Sequence, residues 1–247
     1  ITGAGSANTT LTIDANSTTS GLAFIDSTAG TATNQTFSNV TVVLTNSLVS
    51  PQMKIQPGDG KAVTIASNSK LQIGTGSALA LIVEANGPGT GSGALTINGV
   101  LTAAIAGSSI KADTSGVLNL NLAAGSSLAN LSLSTGTGGV INCVGGGDFG
   151  GSVNPSNGAA NLATSGITVG STTSFAFGTA GTAGNSTIGA TYTSGTSTIA
   201  GQVALTGGGG SARSNIFNVA GGGTLAISGL MTGGSTLNTA VSKIGNG

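Results

Sequence analysis

Leu118-Asn119-Leu120-Asn121-Leu122 decides how this chain is read. Strict alternation puts every leucine on one side of an extended backbone and every asparagine on the other, the period-2 signature of a half-buried strand. Leu128 to Leu133 is a second long version of the pattern. Shorter versions are Leu11-Thr12-Ile13, Val63-Thr64-Ile65, Leu71-Gln72-Ile73, Leu95-Thr96-Ile97, Ile167-Thr168-Val169, Val203-Ala204-Leu205 and Leu225-Ala226-Ile227. Threonine and the β-branched aliphatics are the residues a pleated surface favours. Gly-Ser, Thr-Gly, Asn-Gly and Gly-Gly turns separate the runs at intervals of about ten residues. Few segments stay free of glycine long enough for a helix, and no 3.6-residue stripe is sustained.

So many strands of three to five residues are too short for one ordinary sandwich. They fit an all-β parallel β-helix (solenoid), in which each coil adds short strands and aliphatic side chains stack inside. Coils of ~20 residues predict ~12 coils and a rod of ~55–60 Å. Tandem β-sandwich domains of ~120 residues are the alternative, since they also show short strands with frequent turns. Tyr192 and six phenylalanines are few for two sandwich cores, and no linker marks the middle. The chain therefore reads as one elongated segment, 1–247. Residues 1–60 are less regular, with Pro51 and Pro57 bracketing Met53-Lys54-Ile55; 61–145 alternate most cleanly. The interval 145–215 is richest in Gly, Ser and Thr, with loops expected at 145–151 and 207–210.

Composition narrows the function classes. Only 5% of residues are charged, against about 25% in an average soluble domain, and 45 of 247 are glycine. Disorder is not expected, because 38% of residues are apolar and the formal net charge is zero, the reverse of a disordered composition. A neutral chain lacks charge repulsion, which favours self-association into a filament, a lattice or end-to-end chains. Lys54, Lys61, Lys70, Lys111, Arg213 and Lys243 are scattered and matched by six acids, so no nucleic-acid partner is expected. No run of about 20 apolar residues spans a bilayer as a helix. The N-terminus, Ile1-Thr2-Gly3-Ala4-Gly5, lacks the basic-then-apolar order of a signal peptide. The ending, Lys243-Ile244-Gly245-Asn246-Gly247, stops mid-pattern and suggests a segment of something longer.

The C-terminal stretch carries a resemblance. Gly222-Gly223-Thr224-Leu225-Ala226-Ile227-Ser228-Gly229, then Gly233-Gly234-Ser235-Thr236-Leu237, then Lys243-Ile244-Gly245-Asn246-Gly247, resembles the autotransporter-associated β-strand repeat. Gly93-Ala94-Leu95-Thr96-Ile97-Asn98-Gly99 is a fainter echo. The match covers about 27 residues, and Leu237 to Lys243 is longer than the family's usual interval. The resemblance implies a right-handed β-helix in a surface-exposed or secreted bacterial passenger that serves adhesion or forms a stalk. The chain shows no counterpart of the outer-membrane translocator barrel such proteins carry.

Catalysis has little to work with. The chain has no histidine and no tryptophan, and its acids, Asp14, Asp26, Asp59, Glu84, Asp113 and Asp148, form no pair in sequence. Pectate lyases and related enzymes share the β-helix, but such sites need clustered carboxylates, basic residues and exposed aromatics. We expect no enzyme activity, no cofactor and no metal site. Gly145-Gly146-Gly147-Asp148-Phe149-Gly150 matches only part of the calcium-binding β-roll repeat and reads as a turn. Cys143, in Val140-Ile141-Asn142-Cys143-Val144, has no partner for an internal disulfide and reads as a small buried hydrophobe. Six Asn-x-Ser/Thr sequons, at Asn8, Asn16, Asn34, Asn39, Asn130 and Asn185, arise readily in this composition and become glycan sites only in a source that glycosylates them. Threonine triplets recur at no fixed spacing, which argues against an ice-binding face. The expected function is an extracellular structural or adhesive one, with a host-surface or polysaccharide ligand as a further partner; a filament or S-layer subunit is the alternative, and a polysaccharide-active enzyme a remote one.

Overall fold

A computed structural model describes residues 9–14, 22–26, 33–45, 52–58, 60–84, 92–145, 151–155, 157–169, 173–177, 184–205, 213–233 and 239–247. Among them there is no helix, and every strand pair is parallel. Parallel pairing throughout is what a β-helix requires and what antiparallel sandwiches do not give. The solenoid expected from the alternation is the fold; the sandwich reading falls.

Two sheets of nine strands run the length of the rod. The first long sheet stacks Leu22–Asp26, Gln52–Gln56, Ala80–Glu84, Ser108–Asp113, Leu131–Thr135, Ser152–Asn154, Ser174–Ala176, Val203–Ala204 and Met231–Thr232. The second stacks Gln35–Phe37, Ala62–Ile65, Gly93–Ile97, Gly116–Leu120, Val140–Cys143, Ala159–Leu162, Gly184–Ala190, Arg213–Val219 and Thr239–Ile244. Each coil places one strand in each sheet. Among the described residues a third side exists only toward the ends. It is built from Thr9–Asp14, Val40–Thr45, Lys70–Ile73 and Val100–Ala103 at one end, and from Thr168–Val169, Gly195–Ile199 and Gly223–Ile227 at the other.

Coil length follows the number of sides. Where three strands are present, Thr41 pairs with Lys70 and Lys54 with Ile82, spacings of 29 and 28 residues. Near the other end Thr168 pairs with Thr198, a spacing of 30. In the two-sided middle, Val117 pairs with Val140 and Val140 with Ala159, spacings of 23 and 19. The expected ~20-residue coil thus describes the waist alone. Longer coils make fewer of them, and nine strands at ~4.8 Å give a rod of about 40 Å, shorter than the ~55–60 Å that ~20-residue coils predict.

The core is a set of aliphatic columns. Met53, Leu81, Ile110, Leu133, Val153, Phe175 and Val203 stack in register along the first long sheet, all buried. Phe37, Ile65, Ile97, Leu120, Cys143, Leu162, Ala190 and Val219 do so along the second. Buried aliphatics on like residues one strand away bury apolar area along a continuous column, worth about 1.5–3 kcal/mol for each large side chain. The stretches that decided the reading are trimmed at their ends. Gly116–Leu120 is a strand, but Asn121 and Leu122 already belong to the corner; of Leu128–Leu133 only the part from Leu131 is strand, because Ala129 and Asn130 turn.

Corner chemistry holds the coils in register. Ser69 and Ser126 sit at corners, Ser108 opens its strand and Ser197 lies within Gly195–Ile199. The hydroxyls of Ser69, Ser126, Ser108 and Ser197 accept the N–H of Val40, Leu101, Leu79 and Ile167 at 3.1, 3.1, 3.3 and 3.2 Å. Each bond satisfies a backbone donor that the sheets leave over. Glycine is required where a corner presses on the coil below. A Cβ on Gly116 would lie 2.0 Å from the Val83 carbonyl oxygen, and one on Gly139 2.0 Å from that of Ala112.

Candidate functional site

Polar side chains converge at one place, the corner between the two long sheets at the waist. On the first long sheet Lys54 and Lys111 point outward, as alternation with buried Met53, Ile55, Ile110 and Ala112 dictates. Lys54 Nζ donates to Glu84 Oε1 at 2.6 Å, and Gln56 Nε2 donates to the same oxygen at 2.7 Å. One strand further on, Lys111 Nζ donates to Asp113 Oδ2 at 2.5 Å. Register places Asp113 directly beside Glu84. The fold therefore brings together two of the acids that stand far apart in sequence, each against its own lysine.

The position after Asp113 in the stack is Gly136, and this absence of a side chain shapes the site. A Cβ there would lie 1.9 Å from Asp113 Oδ1 and 2.9 Å from Lys111 Cε, so the ion pair lies over the glycine. Beyond it opens a groove of about 400 Å³ whose walls include Lys111, Asp113, Ser134, Thr137, Asn154 and Asn157. Two of these carry unusual atoms. The side-chain oxygens Oδ1 of Asn154 and of Asn157 are buried, and no donor among the described residues reaches either. The backbone around the groove is strained as well. Thr114 and Ser115 have φ of 45° and 62°, and Asn157 has φ of 56°, values that only glycine adopts freely. Three of the four left-handed non-glycine residues among those described border this corner.

The remaining candidates lie apart. Lys61 leads into the second long sheet and Lys70 lies on the short sheet, so the three lysines clustered in sequence face three sides of the rod. Asp14 is exposed at the end of its strand. Asp59, Asp148 and the loop motif at 146–150 lie outside the described residues, as do 207–210 and most of Ile1 to Ile13. So do Asn8 and Asn16; of the other sequons, Asn34 Oδ1 accepts from the Ala62 N–H at 2.9 Å and Asn130 Nδ2 donates to the Ala103 carbonyl at 3.2 Å. Cys143 is buried between Leu120 and Leu162, and burial pushes its thiol from 9.0 up to about 12. No group of three His, Cys, Asp or Glu among the described residues suits a metal ion, and no helix there is long and apolar enough to cross a membrane.

The second feature of note is the last coil. Leu230, Met231, Val241 and Ile244 are 68, 44, 53 and 46% exposed. Behind them an apolar cavity of about 360 Å³ opens between Phe217, Val219, Leu225, Ile227 and Met231. The residues of the C-terminal motif make this coil: Gly223–Ile227 pairs with Gly195–Ile199, and Thr239–Ile244 pairs with Arg213–Val219. Composition gave no hint of the groove, whose side chains come from three coils. The Asn154-Pro155-Ser156-Asn157-Gly158 run, dense in turn residues, was the local signal for its far wall. No family model, curated protein or solved structure matches the chain.

Proposed function

We propose that this chain is a structural element of an extracellular protein, a stiff β-helical stalk or passenger segment of the kind its C-terminal motif resembles, and that it performs no catalysis. The observation that carries the reading is the unbroken pairing of nine strands in each long sheet over a single aliphatic core. Such a rod resists proteases because its backbone amides are tied up in ladders, and it needs no disulfide to do so. Absence of turnover is supported by the way Glu84 and Asp113 are each spent in an ion pair, and by a chain with no histidine. The test is proteinase K treatment of intact source cells with immunodetection. Antibody labelling of unbroken cells that survives the protease, with the purified rod itself slow to digest, supports the reading. A signal found only after lysis overturns it. Turnover of acidic polysaccharides by the purified chain would overturn the non-catalytic part.

The exposed apolar coil at the C-terminal end favours a second reading, self-assembly through stacking of one copy on another. Met231 and Val241 are large apolar residues left in water, whereas their register partners one coil earlier, Val203 and Asn215, are covered by the next coil. Light scattering after gel filtration separates the two readings. Mass that rises with concentration, and falls to the monomer in Val241→Lys, favours assembly; a monomer at every concentration favours the isolated stalk.

A further inference from the structure

We propose that the groove at the waist binds a neutral saccharide through its hydroxyl groups. The inference does not depend on the stalk reading, because it rests on what the groove lacks and offers. Asn154 and Asn157 both line it, and the amide oxygen of each is buried with no donor among the described residues. A buried acceptor left unpaired is costly, and an incoming O–H removes that cost without burying a charge. Lys111 and Asp113 supply a donor and an acceptor side by side, the arrangement that receives two neighbouring hydroxyls on one ring. The hydroxyls of Ser134 and Thr137 serve either way. A volume of about 400 Å³ lies within the range of small-molecule sites.

Charge decides against an ion. A cation would have to draw Asp113 away from the ammonium 2.5 Å from it, and an anion would meet the same carboxylate. The pair presents no net charge, and the other walls among the described residues are neutral. Among the described residues the groove holds no aromatic ring on which a sugar could stack, so binding rests on hydrogen bonds and is weak, with Kd of about 1–10 mM. Copies arrayed on a surface or in a polymer would gain from avidity.

Asn157→Gly isolates the claim. Asn157 has φ of 56°, which glycine adopts without strain, so this variant keeps its fold while losing the amide oxygen. Saturation-transfer NMR and calorimetric titration of the full chain use maltose, cellobiose and N,N′-diacetylchitobiose as probes. We expect at least one to saturate. Asn157→Gly and Asn154→Ala should each weaken it about fivefold or more, the loss of roughly one hydrogen bond, with unchanged circular dichroism. No saturable binding by any of the three probes overturns the proposal. So does binding that neither variant alters. Calcium chloride binding that Asn157→Gly abolishes, with all three sugars inert, would overturn it in favour of a cation site.

Discussion

Asn142 uses both ends of its amide: it donates to Asn119 Oδ1 at 2.9 Å and accepts from Asn161 Nδ2 at 3.2 Å. Asn119 in turn donates to Thr96 Oγ1 at 3.2 Å, so a ladder of side chains runs beside the backbone ladder on the second long sheet. It stops where Gly189 takes the next place; a Cβ there would lie 2.5 Å from Asn161 Oδ1. Asn142→Ala should cost about 1–2 kcal/mol, two half-buried bonds at roughly 0.5–1.5 each, read as a lower urea midpoint with unchanged slope. Cys143 makes a contrasting prediction. Its thiol should resist Ellman's reagent at pH 8 in the native protein and react on unfolding. Well below pH 9 neither state ionises appreciably and the residue leaves stability nearly untouched. As pH rises from 9 toward 12, the unfolded chain loses the proton that the native one keeps, so stability falls, and Cys143→Ala should remove that part of the alkaline slope. The burial of Cys143 was legible in its apolar neighbours. The asparagine ladder was not, since aligning Asn119, Asn142 and Asn161 needs offsets of 23 and 19 residues.

At the scale of strands and corners, the sequence predicted more about strands than about their joining. Leu71-Gln72-Ile73 and Leu95-Thr96-Ile97 are strands with aliphatics inward because alternation and burial are the same fact on a pleated surface. Which face neighbours which depends on the corners, whose glycines and serines look alike until coil meets coil. The groove suffers most from this, since Asp113, Gly136 and Asn157 belong to three successive coils. Corner glycines separate two kinds of close approach. On Gly139 a methyl group would strike the Ala112 carbonyl, fixed in the coil below, whereas on Gly136 it strikes the Asp113 side chain, which can swing. Gly139→Ala should therefore destabilise by several kcal/mol and Gly136→Ala by about 1–2, compared by thermal melts. The last coil has its own clasp. Tyr192 Oη accepts the Ser197 N–H at 2.7 Å and donates to the Thr224 carbonyl. Tyr192→Phe should speed hydrogen exchange in Gly195–Ile199 and Gly223–Ile227 while leaving the waist unchanged.

The whole molecule owes little to charge. Its two ion pairs among the described residues, Lys54–Glu84 and Lys111–Asp113, are partly exposed, and such pairs contribute about 0–1 kcal/mol. Raising sodium chloride from 0 to about 0.5 M should leave Tm within about 2 °C, since screening acts on so few charges. The solenoid itself was legible because strands so many and so short, with few aromatics for two sandwich cores, favoured it over the tandem sandwiches that the same turns allowed. The waist was not, because dropping a strand leaves no mark beyond a shorter gap between runs. That uneven coil length turns the rod into a ruler under load. Pulled from its ends, each coil that lets go pays out its own contour, about 100 Å for a three-sided coil and about 70 Å for one from the middle, at roughly 3.5 Å per residue. A force–extension trace would then show two step sizes, and their order would report whether rupture starts at the tips or at the narrow centre.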